Sequence, residues 1–150
     1  MGIKQKPINP TFDVIREDET STQLEGITTT AQKKILNNLL VKFEQEKIYL
    51  NSQLNIMDVV QAVGTNRSYI SAIINQQYNQ NFCSFVNKFR IEELERIIHE
   101  NHDIPSEILA EKSGFGSLNS MKRAISSKTG LSLTEWKKQH KGNEQNKGRN

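Results

Sequence analysis

Tyr69-Ile70-Ser71-Ala72-Ile73-Ile74 is followed, 51 positions later, by Ser120-Met121-Lys122-Arg123-Ala124-Ile125, with apolar residues in the same three places. The same offset carries Asn79 onto Gly130, Phe82 onto Leu133 and Phe85 onto Trp136. Each copy reads as an amphipathic helix, a stop that tolerates a left-handed backbone, and an aromatic anchored in the following helix. Upstream of each copy lies a short apolar helix ending near a glycine, Ile56 to Gly64 and Ile104 to Gly114. A short helix, a tight turn and a second helix make a helix-turn-helix, and a tandem pair is a device for reading DNA.

Between the repeats, Phe82, Phe85, Val86, Phe89, Leu94, Ile97 and Ile98 draw one apolar stripe, which predicts a helix over 82–100 joining them. Ahead of the first repeat, Ile35, Leu39, Leu40, Phe43 and Ile48 recur at helical spacing and extend a helix from a cap at or near Thr30 towards residue 50. Asn55 caps the Ile56 helix, and Thr65-Asn66-Arg67-Ser68 forms the turn that caps a helix from Arg67 to Gln76. Pro105 opens the next helix in its first turn, Ser117 or a neighbour caps the one after it, and Ser132 caps the last. The fold class is therefore all-α: two helix-turn-helix subdomains joined by a long linker helix. The expected organisation is a flexible linker or arm over 1–29 and a tandem domain over 30–141, its first unit about 30–81, its linker helix about 82–100 and its second unit about 104–141. A disordered tail is expected over 142–150, where the composition turns polar and glycine-containing.

Composition narrows the function. With 150 residues and 35% hydrophobic content, the chain can bury one small core or two. No apolar run approaches the ~20 residues of a membrane span, and Met1-Gly2-Ile3-Lys4 is not followed by a signal-peptide core, so a cytoplasmic location without membrane contact is expected. Residues 1–104 carry 11 Lys+Arg against 13 Asp+Glu, whereas 105–150 carry 9 against 4, so the formal charge is −2 in the first stretch and +5 in the second. A basic second repeat suits phosphate attraction. The single cysteine, Cys83, sits among Phe82, Phe85 and Val86 and is expected to fill core space. His99 and His102 have no further ligands at metal spacing and read as a solvated pair. No glycine-rich phosphate loop and no Ser/His/Asp set is present, so no catalytic residue, no metal and no cofactor is expected, and the chain is read as a non-enzyme.

The two second helices carry the chemistry. With Ile70, Ile73 and Ile74 inward, Asn66, Arg67, Ser68, Ser71, Ala72 and Asn75 lie outside. With Met121, Ala124 and Ile125 inward, Ser117, Asn119, Ser120, Lys122, Arg123, Ser126 and Ser127 lie outside. Arg pairs bidentately with guanine and Asn with adenine, while Ser and first-turn amides hold phosphate. Any one of these residues is equally well an ordinary cap or a solvated side chain. Two polar faces at matched positions are harder to explain that way.

These residues also carry a resemblance. Ala110-(x3)-Gly114-Phe115-Gly116-Ser117-(x12)-Gly130-Leu131-Ser132-(x3)-Trp136-Lys137 resembles the C-terminal signature of AraC/XylS-type transcription regulators. Val59-Val60-(x3)-Gly64-Thr65-Asn66-Arg67-(x)-Tyr69-Ile70-Ser71, continued by Phe82, Phe85, Asn87 and Arg90-Ile91, looks like that family's first helix-turn-helix and linker helix. The likeness spans about residues 35–140. It implies a sequence-specific DNA-binding transcription regulator, or the output domain of a larger sensor, that sets two recognition helices into successive major grooves. Base-reading positions then fall at Arg67, Ser68, Ser71 and Ala72 and at Asn119, Ser120 and Arg123, with Lys137 expected on phosphate. The chain departs from the pattern at Leu133, where the family has proline, at Met121 and Ile125, where phenylalanine is usual, and at Ser126, where a basic residue is common. Double-stranded DNA is the expected partner, with RNA polymerase and dimerisation through regions outside this chain as further expectations. The alternative is a helical protein-interaction module that keeps the fold and binds through the exposed side of the 30–50 helix.

Overall fold

The computed structural model describes the backbone of residues 30–149 and the side chains of residues 30–141; the arm expected over 1–29 lies outside the described residues. The chain divides into two compact units, Met1–Val41 and Lys42–Asn150. In the first, residues 30–40 form helix α1, in which Leu39 is buried. All regular elements of the second are helical: α2 (Ile56–Val63), α3 (Arg67–Tyr78), α4 (Phe82–Glu100), α5 (Ser106–Lys112), α6 (Leu118–Thr129) and α7 (Leu133–Arg149), preceded by two short turns.

Those turns correct the expectation of one helix reaching residue 50. Val41–Gln45 is a widened π turn, Lys47 adopts the left-handed conformation at φ 52° and ψ 48°, and Ile48–Leu50 is a single 3-10 turn. A π turn fits more residues into each revolution, which rotates the apolar phase, so continuous 3.6-residue spacing no longer predicts the partners. Phe43 is fully buried. Its ring lies 4.9 Å from Phe85 and 5.1 Å from Phe89, while Tyr49 stacks on Phe89 at 5.7 Å.

Caps set the remaining boundaries. Asn55 and Asp58 form a reciprocal capping box, each side chain accepting from the other's backbone N–H at 3.1 and 3.0 Å. Asn66, Asn81 and Ser117 accept from the N–H three residues on, and Ser132 with Glu135 forms a second box. Asn79 (φ 53°) and Gly130 (φ 76°) end α3 and α6 in the left-handed region, at the matched positions the repeat requires. Pro105 is the residue before α5, one position earlier than expected. The backbone of α7 continues to Arg149, past the expected tail start at 142. A helix nucleated at a capped first turn adds one hydrogen bond per residue fixed, so polar composition alone does not stop it.

Helix α4 is a spine serving two cores. Its first half gives Phe85, Val86 and Phe89 to the aromatic group with Phe43, Tyr49 and Tyr78. Its second half gives Ile91, Leu94, Ile97 and Ile98 to a cluster with Leu109, Phe115, Met121, Ile125, Leu133 and Trp136. Leu133, Met121 and Ile125, the departures from the family pattern, are all buried there, so the apolar character of those positions is kept. Cys83 is a correction: it is exposed. In the first turn of α4 it stands beside the Phe82–Phe85–Phe89 line and not on it.

The two halves also meet away from the spine. Arg90 Nε donates to the Tyr49 carbonyl at 2.8 Å, its second guanidinium nitrogen donates to the Asn51 carbonyl at 3.0 Å, and the fork lies 5.7 Å from the Phe115 ring centroid. One turn further along α4, the buried carboxylate of Glu93 accepts from Tyr49 Oη and Lys47 Nζ, both at 3.3 Å, and from Arg96 at 2.6 Å. Gly114 (φ 94°) presses against the same segment: a Cβ there would collide with the Tyr49 carbonyl oxygen and stand 2.9 Å from Leu50 Cα. A Cβ on Gly116 would stand 3.6 Å from Ser52 Cβ.

Gly64 also has positive φ (83°) but open space where a Cβ would sit. Gly64→Ala should therefore cost only backbone strain, about 1 kcal/mol, whereas Gly114→Ala should cost roughly 2–4 kcal/mol because a collision adds to it. Urea unfolding of both variants measures this, and equal losses would remove the collision from the account. Hydrogen bonding from Arg96 holds the Glu93 carboxyl below its ordinary pKa, and burial, helped by Glu93, pushes Tyr49 up to about 12. A depressed carboxylate gives stability that is present above the unfolded value and lost as pH falls through the folded one. A raised phenol gives stability that is present below its unfolded value and lost as pH rises towards 12. Thermal midpoints against pH should fall at both ends, and Glu93→Gln should flatten the acid limb.

Candidate functional site

Helices α3 and α6 are built alike from the capped turn upward. Asn66, extended at φ −124° and ψ 169°, accepts from Tyr69 N–H at 2.9 Å; Ser117, extended at φ −158° and ψ 161°, accepts from Ser120 N–H at 3.1 Å. Each cap satisfies one of the orphan amides of its first turn. Burial of Ile70, Ile73 and Ile74 in one helix and of Met121, Ala124 and Ile125 in the other fixes which side faces out. The turns ahead of them differ by one residue. Gly64 to Gly114 spans 50 positions and Asn66 to Ser117 spans 51, so the second turn holds the extra residue.

Arg67, Ser68, Ser71 and Asn75 stand exposed on α3, and Ala72 is half-buried. On α6, Asn119, Lys122, Arg123, Ser126 and Ser127 are exposed and Ser120 is half-buried. Asn66 and Ser117 are exposed as well, with their side-chain oxygens committed to the caps. A hydroxyl chain runs along α6: Ser117 Oγ lies 3.1 Å from Ser120 Oγ, which accepts from an Arg123 guanidinium nitrogen at 3.4 Å. That contact lies along the helix axis and orients the guanidinium without neutralising it. Neither helix contains Asp or Glu, and Arg67 and Lys122 have no hydrogen bond or ion pair with another described residue. Such a face offers donors and positive charge to an anionic, hydrogen-bonding surface.

Two residues depart from the sequence reading. Lys137 is not a free cation: its Nζ donates to Ser106 Oγ at 3.0 Å and to the Ile104 carbonyl at 3.4 Å, tying α7 to the start of α5. Burial, with Lys141 nearby, draws its pKa below the ordinary lysine range. His102 is not a solvated partner of exposed His99: it is half-buried, and its Nε2 is enclosed without a hydrogen-bond partner. Both belong to a groove at the end of α4 that also takes in Glu95, Arg96 and His140. Among the described residues no three His, Cys, Asp or Glu side chains gather as metal ligands, and no helix is long and apolar enough to cross a membrane. Neither departure had a sequence signal, because both depend on which helix lies opposite.

A family model described as a helix-turn-helix domain matches residues 59–139. No curated protein matches the chain closely enough to count as a relative. Among solved structures, the chain is similar to the C-terminal domain of AraT, a response regulator from Geobacillus stearothermophilus, at 18% identity and a TM-score of 0.57, covering 72% of this chain and 83% of that one. It is similar to the C-terminal domain of the two-component response regulator yesN from Fusobacterium nucleatum at 17% identity and a TM-score of 0.55, covering 75% and 98%. A Listeria innocua protein of unknown function aligns at 17% identity with a TM-score of 0.59, covering 70% and 96%. These likenesses show the fold.

The contrast between the two lysines is measurable. Lys137→Ala should lower the unfolding free energy by about 1–2 kcal/mol through the lost hydrogen bonds. Lys122→Ala should change it by no more than about 0.5 kcal/mol. Denaturant titration of both variants checks this, and an unchanged Lys137→Ala would return that residue to the free surface.

Proposed function

The chain belongs to the AraC-type helix-turn-helix family, and from that premise we propose that it is a sequence-specific transcription regulator that lays α3 and α6 into successive major grooves on one face of a DNA duplex. The observation that carries the proposal is the equivalence of the two outer faces: same cap position, same buried triad, and no acidic residue on either helix. Two exposed faces matched in register are what a tandem reader requires and what solubility alone does not.

The roles divide by chemistry. Arg123, oriented by Ser120, is the guanine reader of the second unit, with Asn119 beside it. Lys122 and the first-turn amides of α6 hold phosphate. In the first unit Arg67 reads at the helix start and Asn75 is positioned for adenine, while Ser68, Ser71 and Ala72 allow close approach of the backbone. Ser127 sits one turn beyond Arg123 as a further polar contact. The basic excess of residues 105–150 makes the second unit the stronger phosphate binder. The two response-regulator neighbours are C-terminal domains, which supports reading this chain as the output part of a sensing system.

Sites selected from a random DNA pool provide the test. On such a site, Arg123→Ala should lose ~1–3 kcal/mol and relax preference at one base pair. Lys122→Ala should weaken every sequence alike and reduce the salt slope by about one. Combining the two should abolish detectable binding, whereas Arg67→Ala should leave a weaker, less selective complex. Equal losses on selected and random DNA for Arg123→Ala would remove it from base reading, and salt-independent binding would favour a protein-interaction module.

A further inference from the structure

Helix α4 joins the two halves, but a single helix fixes only the distance between them along its own axis. Each half still has a way to roll about that spine unless something beside it resists. Tyr49 belongs to the first half, its ring stacked on Phe89 and 6.3 Å from Phe43. Gly114 and Phe115 belong to the second, with Phe115 buried in that core. Arg90 reaches from the spine into the seam between them, where its two nitrogens hold the carbonyls of Tyr49 and Asn51. Among the described residues no carboxylate pairs with its guanidinium. Backbone dipoles and the Phe115 ring are its partners, and a planar fork with fixed N–H directions meets two carbonyls in a way a point charge does not. The absent side chain at Gly114 lets the second half's turn close over the Tyr49 carbonyl and Leu50 Cα.

We infer that Arg90 is a positioning residue that sets the spacing specificity of the protein: by pinning residues 49–51 against the Gly114 turn it holds the two reading helices at one separation, so that only bipartite sites with one gap length are accepted. This rests on the DNA-reading proposal above. The base preferences of each half come from α3 and α6 and are separate from it. Arg90 touches no DNA in this scheme; it acts through the seam.

The test has one arm without DNA and one with it. Spin labels on Gln77→Cys and Lys128→Cys, in a Cys83→Ser background, report the separation of α3 and α6 in the free protein. The wild-type chain should give a single narrow distance distribution, Arg90→Met a broadened one, and Arg90→Lys, which keeps the charge and loses the fork, an intermediate one. Ile98→Val, which trims the second core away from the seam, serves as the control for general loosening and should stay narrow. In the second arm, pools selected by the wild type should share one gap length, while pools selected by Arg90→Met should keep the same half-site bases and lose the single-gap preference. An undisturbed distance and gap in Arg90→Met, or equal broadening in Ile98→Val, would overturn the inference. Failure of the wild type to select any site would overturn the DNA-reading proposal, with the distance arm still judging the seam.

Discussion

One guanidinium on the shared helix, two backbone carbonyls and a missing Cβ hold the two halves of this protein against each other beside that helix. Arg90 donates to the carbonyls of Tyr49 and Asn51, and Gly114 is the only residue type that lets the opposite turn come this close. Hydrogen bonds from a charged donor contribute about 1.5–3 kcal/mol each, more than neutral ones, because the charge would otherwise be left half-buried and unmatched. Glu93, Lys47, Tyr49 and Arg96 extend the joint by one helical turn. The left-handed backbone at Lys47, a conformation costing a non-glycine residue roughly 1–2 kcal/mol, is sustained because the surrounding contacts fix the segment.

The rest of the architecture depends on that joint because neither half is large enough to be stable with ease. Domains of this size bury a smaller fraction of their surface than larger ones do, and sharing α4 lets each half use the spine as one wall of its core. Phe85 and Phe89 serve one side, Leu94 and Ile98 the other. The cores therefore stabilise one helix jointly, and the outer faces of α3 and α6 are left without structural duties beyond their caps. The proposed DNA contacts fall on surfaces the fold does not need.

The repeat made most of the fold legible. Caps at Asn55, Asn66, Ser117 and Ser132, stops at Asn79 and Gly130, and the buried triads 70/73/74 and 121/124/125 are local events, decided by residue type and helical period. What stayed hidden is tertiary. The π turn at Val41–Gln45 breaks a phase that the apolar spacing carries straight through. A buried Glu93, the seam role of Arg90, the Lys137 stitch to Ser106 and the enclosed His102 all depend on a neighbour distant in sequence. Cys83 shows the limit of clustering by proximity: beside three apolar residues in sequence, it still faces outward in the first turn of α4. The exposed polar faces of α3 and α6 were readable because they are what remains once the buried triads are assigned.

In the proposed complex two equivalent helices, held as one piece, read one face of a duplex. Hydroxyl-radical footprinting on a selected site tests this arrangement most directly. Two protected patches of comparable depth are expected, centred about one helical turn or ~34 Å apart and on the same face. A single patch the width of one half-site, or two patches on opposite faces, would contradict it.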